Sequence, residues 1–297
     1  MIITPHLGIG DIIILKIKDL SNKLHITQIN INTELLKTHI DNYENKLYTI
    51  REFILLLFPN ITIELTEGPC DFYRINEYPF GNTYLYNKIG NKFLKNNNKY
   101  NDYIVFHTKI RYDNLIQLFN QEILQSLIVF FETFKTSKKI LILGEKRIGQ
   151  NYETILLETS SLYDHLLLLG KNNTVIDLTN DILTSGNPNF DDFLSDIEII
   201  NGAICNITFG IGGPFNICMA FSKRHISILP FYKLSCYANM LQEIDGLNNC
   251  IIENVEEISD KIKYYEDMCL LQTLCIFCSK GADPTSGYFQ GCKSSSV

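Results

Sequence analysis

The sequence predicts an α/β protein whose strands lie parallel and whose chain divides into two lobes. Short aliphatic and β-branched runs alternate with helical patterns along nearly all of the 297 residues, the signature of repeated βαβ units. Hydrophobic residues make up 45% of the chain, ample for a packed core and too many for a disordered protein. The run Lys95-Asn96-Asn97-Asn98-Lys99 interrupts the alternation and reads as a linker. A chain of this length exceeds the usual single core, which agrees with a division. The expected organisation is a first lobe over 1–98 and a second over 99–254. A helix over 255–278 crosses back, and a disordered Gly/Ser/Pro tail occupies 279–297.

In the first lobe, strands are expected at Met1–Thr4, His25–Ile31 and Ile61–Leu65. Helices are expected at Asp11–Leu20, at Tyr43–Phe58 (stopped by Pro59) and at Tyr84–Leu94. Residues 66–82 hold Gly68-Pro69, Pro79 and Gly81-Asn82, and read as an irregular loop. The second lobe alternates more cleanly. Its expected strands are Tyr103–His107, Lys139–Leu143, Thr174–Asp177, Cys205–Phe209, His225–Leu229 and Cys250–Ile252, apolar runs of the kind buried on both faces. Helices are expected near 113–135, 151–169, 190–199, 214–222 and 235–244, with a last one over Val255–Cys278. Both lobes are therefore expected to be Rossmann-like, the first reduced.

Charge and cysteine usage narrow the function. The net charge of −7, from 26 basic and 33 acidic side chains without a basic stripe, speaks against nucleic acid as partner. No secretion signal is read in Met1–His6, and apolar runs such as Ile12–Leu15 and Leu166–Leu169 fall far short of the roughly 20 residues of a membrane span. The nine cysteines lack even spacing, and Cys205, Cys218 and Cys250 sit in apolar runs, which fits reduced thiols and a cytoplasmic protein. Cys275 and Cys278 form a C-x-x-C without a second ligand pair, and His25, His39, His165 and His225 have no metal spacing. No metal or other cofactor is expected. Hydrolase, P-loop and zincin motifs are absent from the sequence.

Residues with chemistry gather where strands are expected to end. His6-Leu7-Gly8-Ile9-Gly10-Asp11 joins the first strand to the first helix; its glycines let a ligand approach, and helix-start amides attract anions. Asp11 reads either as a helix-start carboxylate, worth ~1 kcal/mol, or as a general base at the mouth of a cleft. His107, Thr108, Lys109 and Arg111 follow the strand Tyr103–His107, and their cations and hydroxyl suit a pyrophosphate. Gly210-Ile211-Gly212-Gly213-Pro214-Phe215-Asn216 has proline near a helix start and glycines before it, the form of a phosphate cradle. Gly144-Glu145-Lys146-Arg147 is a further strand-end loop.

Taken in order, Leu7–Asp11, Phe106–Arg111, Leu143–Glu145 and Phe209–Asn216 resemble the heptosyltransferase family and, more broadly, GT-B-fold glycosyltransferases. The resemblance spans most of 1–230 and implies a nucleotide-sugar donor, a glycan or other hydroxyl acceptor and inverting transfer without metal. It carries the catalytic base over to Asp11 and the donor cradle to Gly8, Gly10, His107, Thr108, Lys109, Arg111, Gly144, Gly212, Gly213 and Asn216. Two positions depart from the family pattern: Ile211 stands where the family has Asp, and Asn216 where it has His. Two alternatives remain open, and Ile211 and Asn216 favour the first of them. One is a degenerate GT-B-like protein that binds nucleotide or glycan without turnover; the other is a different enzyme on the same fold, a nucleotide-sugar epimerase or a fucosyltransferase-like enzyme.

Overall fold

The computed structural model describes residues 1–5, 8–22, 24–34, 43–71, 73, 83–90, 99–108, 121–144, 155–157, 160–179, 190–230 and 249–281. The first lobe runs β1 (Ile2–Ile3), α1 (Ile9–Asn22), β2 (Gln28–Asn32), α2 (Tyr43–Leu57), β3 (Thr62–Thr66) and α3 (Thr83–Gly90). Its strands form a parallel sheet in the order β1-β2-β3. The second lobe opens with β4 (Tyr103–His107), α4 (Gln121–Thr133) and β5 (Lys139–Leu143), then β6 (Ile155–Leu157), β7 (Ser160–Ser161) and α5 (Leu162–Leu166). After a 3-10 turn come β8 (Val175–Asp177), α6 (Phe190–Gly202), β9 (Cys205–Phe209) and α7 (Gly213–Phe221). It closes with β10 (His225–Ile228), β11 (Asn249–Ile252) and α8 (Glu257–Gly281). The protein is thus α/β with two parallel sheets, Rossmann-like in both lobes.

The large sheet has six strands in the order β11-β10-β9-β4-β5-β8, every pair parallel. From β4 the chain steps outward through β5 to β8, then returns to the other side of β4 and steps outward through β9 and β10 to β11. That is the doubly wound dinucleotide-fold order, and its direction reverses between β4 and β9. In open sheets of this order, ligands bind outside the carboxyl ends of the two strands at the reversal.

Alternating side chains sort the layers. Phe106 of β4 and Phe209 of β9 face α4, where both meet the ring of Phe131 at centroid distances of 6.4 and 6.0 Å. On the opposite face His107 and Asn206 meet α6 and α7, through Ile200, Cys218 and Ser222. Beyond α7 lie α1 and α3, which carry the small sheet. Phe53 of α2 crosses from one lobe to the other, 5.1 Å from the Phe193 ring and 6.5 Å from Phe221. A single hydrophobic core therefore runs through both lobes, from Ile29 and Ile31 to Ile140 and Ile142.

Several elements differ from their expected bounds for local reasons. The strand expected from His25 starts at Gln28, because His25 turns the chain at φ 53°. The first helix begins at Ile9, since the Gly8 carbonyl already accepts from the Ile12 amide at 3.1 Å. The helix expected over 151–169 is a correction: β6 and β7 pair antiparallel there, and helix begins only at Leu162. Ser160-Ser161 supplies a reason, because serine hydroxyls compete for the backbone bonds a helix needs. The last helix runs through Gly281, so it takes in the first three residues of the tail expected from Ser279. Its partners Thr136 and Arg224 precede β5 and β10, at the amino edge of the large sheet. The expected helix at 235–244, most of the Lys95–Lys99 linker and the rest of the tail lie outside the described residues. Among the described residues no helix is long and apolar enough to cross a membrane.

One half-buried carboxyl makes stability depend on pH. Burial in α6, with Asp192 one turn earlier, pushes the Asp196 carboxyl up to about 7. A folded-state value above the unfolded one means that the native state holds this proton more tightly. The stabilisation is full below pH 4 and is lost as pH rises through 7. Asp196→Asn keeps the neutral form at every pH. Thermal melts at pH 5 and pH 8 should show the variant gaining on the wild type at the higher value; a constant difference would contradict the assignment.

Candidate functional site

The two glycine turns predicted from sequence meet across the lobes. A Cβ added to Gly10, in the first turn of α1, would lie 3.1 Å from the Gly213 Cα and 3.2 Å from Asn216 Nδ2. The amino ends of α1 and α7 thus pack backbone against backbone, and a side chain at Gly10 would fit only if its neighbours gave by a few tenths of an ångström. Deeper in the same seam, a Cβ on Gly90 of α3 would run into the carbonyl oxygen of Ala220. Gly10 is buried, while Gly8, Gly212, Gly213 and the Asp11 side chain retain exposure.

Asp11 is the third residue of α1, not its cap. Its Oδ2 leans back over Gly8, where an added Cβ would lie 2.5 Å from it. A carboxylate in the first turn is stabilised by the helix dipole by about 0.3–1 kcal/mol. Across the seam α7 starts from Gly212, in extended conformation and without a side-chain cap, and its second residue, Pro214, has no amide hydrogen. The start of a helix carries partial positive charge, which suits an anion. Beside Gly213 there is room among the described residues: a Cβ placed there meets none of their atoms within 4 Å.

The turn carrying these groups follows β9 and lies at the crevice where strand order reverses. Gly210 begins it at φ 73°, donating its amide to Ile228. On the β4 side of the crevice, Thr108 donates its amide to Leu143 at 2.9 Å. Gly144 follows β5 at φ 117°, so close to Thr108 that a side chain would run into the hydroxyl. Lys109 and Arg111 continue from Thr108 and lie outside the described residues.

His107 has a different surrounding from the one expected of a phosphate ligand. It is 5% exposed, with Nε2 3.3 Å from Asn206 Oδ1 and 3.3 Å from Cys218 Sγ. Asn206 spends its Nδ2 hydrogens on the Ile200 carbonyl and on Ser222 Oγ, so its Oδ1 faces the imidazole and Nε2 must carry the proton. Burial lowers the His107 pKa to about 4, against the smaller opposing effect of Asn206, and the ring is neutral at pH 7. Burial likewise holds the Cys218 thiol protonated. Cysteine, histidine and asparagine lie together here without a nucleophile: one nitrogen faces both partners, and solvent is excluded. The group closes polar valences inside the core and presents no charge to a ligand.

Asn216 is also committed. Its Oδ1 accepts from the Tyr86 hydroxyl at 2.8 Å, and its Nδ2 donates to the Gly212 carbonyl at 3.0 Å. Tyr86 and Gly90 escape sequence reading, since α3 shows only an amphipathic pattern; a glycine closing that pattern is the sole local signal. Elsewhere, an open depression of about 660 Å³ lies at the amino ends of β4, β5 and β8, lined by Asp102, Lys135, Lys138, Lys139 and Lys171. Lys138 pairs with Asp102 at 2.8 Å and Lys171 with Glu132 at 2.7 Å, so much of its positive charge is already answered.

No protein-family model, no curated protein and no solved structure matches the chain.

The two glycines that touch respond differently to the same change. Gly10→Ala forces the seam apart by tenths of an ångström and should cost about 1–3 kcal/mol, the usual penalty of overpacking. Gly213→Ala fills empty space and should change stability by less than about 0.5 kcal/mol. Urea unfolding at constant m-value measures both. Equal losses would mean that the seam is not packed as described.

Proposed function

We propose that the chain transfers a sugar from a nucleotide-sugar donor to a hydroxyl acceptor, at the crevice between the carboxyl ends of β4 and β9. One observation carries the reading. The helix start that follows β9 lies at the reversal of a doubly wound sheet, where open α/β sheets bind their ligands, and a first-lobe carboxylate begins its helix against it. The likeness of Gly8–Asp11 and Gly210–Asn216 to the heptosyltransferase turns points the same way, as does the GT-B-like pairing of two Rossmann-like lobes.

In this reading Asp11 takes the acceptor's proton as its oxygen attacks the anomeric carbon. The bond to the nucleoside diphosphate breaks in the same displacement, which inverts the configuration. Negative charge builds on the leaving diphosphate, and the partial positive charge at the start of α7 stabilises it. Lys109 and Arg111, next in the chain after β4, add cations, and neutralisation by protein groups makes a metal dispensable to this route. The free thiols Cys70, Cys205, Cys218 and Cys269 suit a reducing, cytoplasmic setting.

A second reading, nucleotide binding without turnover, draws on Ile211 and Asn216. Ile211 is buried and Asn216 is bonded within the protein, at the positions where the family places its Asp and His.

Calorimetry with UDP, GDP and ADP tests the binding site. At least one should bind, and Gly213→Ala should weaken it about tenfold or more while leaving the melting temperature unchanged, because the added methyl fills the space an anion needs. Affinity unaltered by that methyl would move the site elsewhere. Asp11→Asn then separates the two readings. Transfer should fall by about 10²–10⁴-fold with nucleotide affinity retained. A wild type that binds nucleotide tightly yet transfers nothing across a broad donor and acceptor panel would leave the binding module.

A further inference from the structure

We propose that Tyr86 is a positioning residue for the anion cradle, acting from the first lobe through Asn216 on the turn before α7; this deepens the function proposed above and rests on it. The direction of the two hydrogen bonds is forced. The Gly212 carbonyl can only accept, so the Asn216 amide must turn its Nδ2 toward it, at 3.0 Å. That orientation points Oδ1 at Tyr86, and the phenol must donate, at 2.8 Å. Burial keeps the Tyr86 hydroxyl protonated, pushing its pKa well above the usual phenol range.

The Gly212 carbonyl also accepts the Asn216 backbone amide at 3.1 Å, so one residue grips the turn twice. The backbone bond belongs to any helix start. The side-chain bond does not, and its geometry is set by a tyrosine from the other lobe. Tyr86 is fully buried and Asn216 is 4% exposed, which leaves little water to replace a missing partner. The shape of the turn at Gly212 and Gly213, and with it the aim of the α7 amides, is thereby tied to the seam between the lobes. Packing alone would have been served by phenylalanine at 86; the hydroxyl has this further use.

Tyr86→Phe keeps the ring and removes the donor. Hydrogen–deuterium exchange in the ligand-free protein should show amides of 211–216 exchanging about tenfold faster, while the central strands β4 and β9 change no more than global stability requires. Asn216→Asp should loosen the same amides at least as much, because a carboxylate oxygen would then face the Gly212 carbonyl. The affinity for whichever of UDP, GDP or ADP binds the wild type should fall in Tyr86→Phe by a comparable factor. Exchange that is unchanged, or raised evenly across the protein, overturns the inference. So does a loosened turn with undiminished nucleotide affinity. A wild type that binds none of the three nucleotides is a different failure: it removes the proposed function, while the exchange comparison still decides whether Tyr86 holds the turn.

Discussion

The seam between α7 and the helices α1 and α3 decides what the rest of the molecule can be. Helix α7 covers the large sheet with one side and meets the first lobe with the other, and it is buried nearly all round, from Phe215 through Phe221. Close packing there depends on missing side chains. Gly10 lets α1 lie against Gly213, and Gly90 lets α3 lie against the Ala220 carbonyl. Helices that approach this closely exclude water from their contact and hold one relative position, because interiors packed to crystal density deform little. Phe53, between Phe193 and Phe221, extends the contact to α2 and α6. The lobes are joined by a core and not only by a tether.

The same seam creates the site. Each lobe contributes a helix start, and helix starts carry partial positive charge. Bringing two together is unfavourable unless something negative lies between or beside them. Asp11 supplies part of that charge within α1. In the proposed function, an anionic ligand beside Gly213, at the reversal of the large sheet, supplies more. By contrast, the polar groups deeper in the sheet are arranged to be neutral. His107 has lost its proton affinity to burial, and Cys218 keeps its proton.

The large sheet was legible in the sequence because its strands declare themselves. Tyr103–His107, Lys139–Leu143 and Cys205–Phe209 have the expected bounds, each an apolar run that only a strand covered on both faces would carry. The glycine turns were legible for a similar reason, since glycines between strand and helix have few other uses. What could not be read was side-chain direction. A histidine ending a strand looks like a ligand until the neighbouring strand is known, and only the pairing of β4 with β9 brings Asn206 onto the face of His107. Asn206 within Cys205–Phe209 was the available hint, because an amide in so apolar a strand requires a buried partner. Tyr86 and Gly90 stayed hidden because their roles arise from a contact 130 residues away in sequence. Ile155–Leu157 misled because a short apolar run has no period of its own.

The central claim is that one ligand engages both helix starts, and a footprint tests it most directly. Hydrogen–deuterium exchange should be compared with and without a saturating nucleoside diphosphate. The account predicts slower exchange in two stretches remote in sequence, 8–12 at the start of α1 and 210–216 at the start of α7, with the amino ends of β4, β5 and β8 unchanged. Protection confined to those amino ends, around Lys135–Lys139 and Gly170–Thr174, would contradict it.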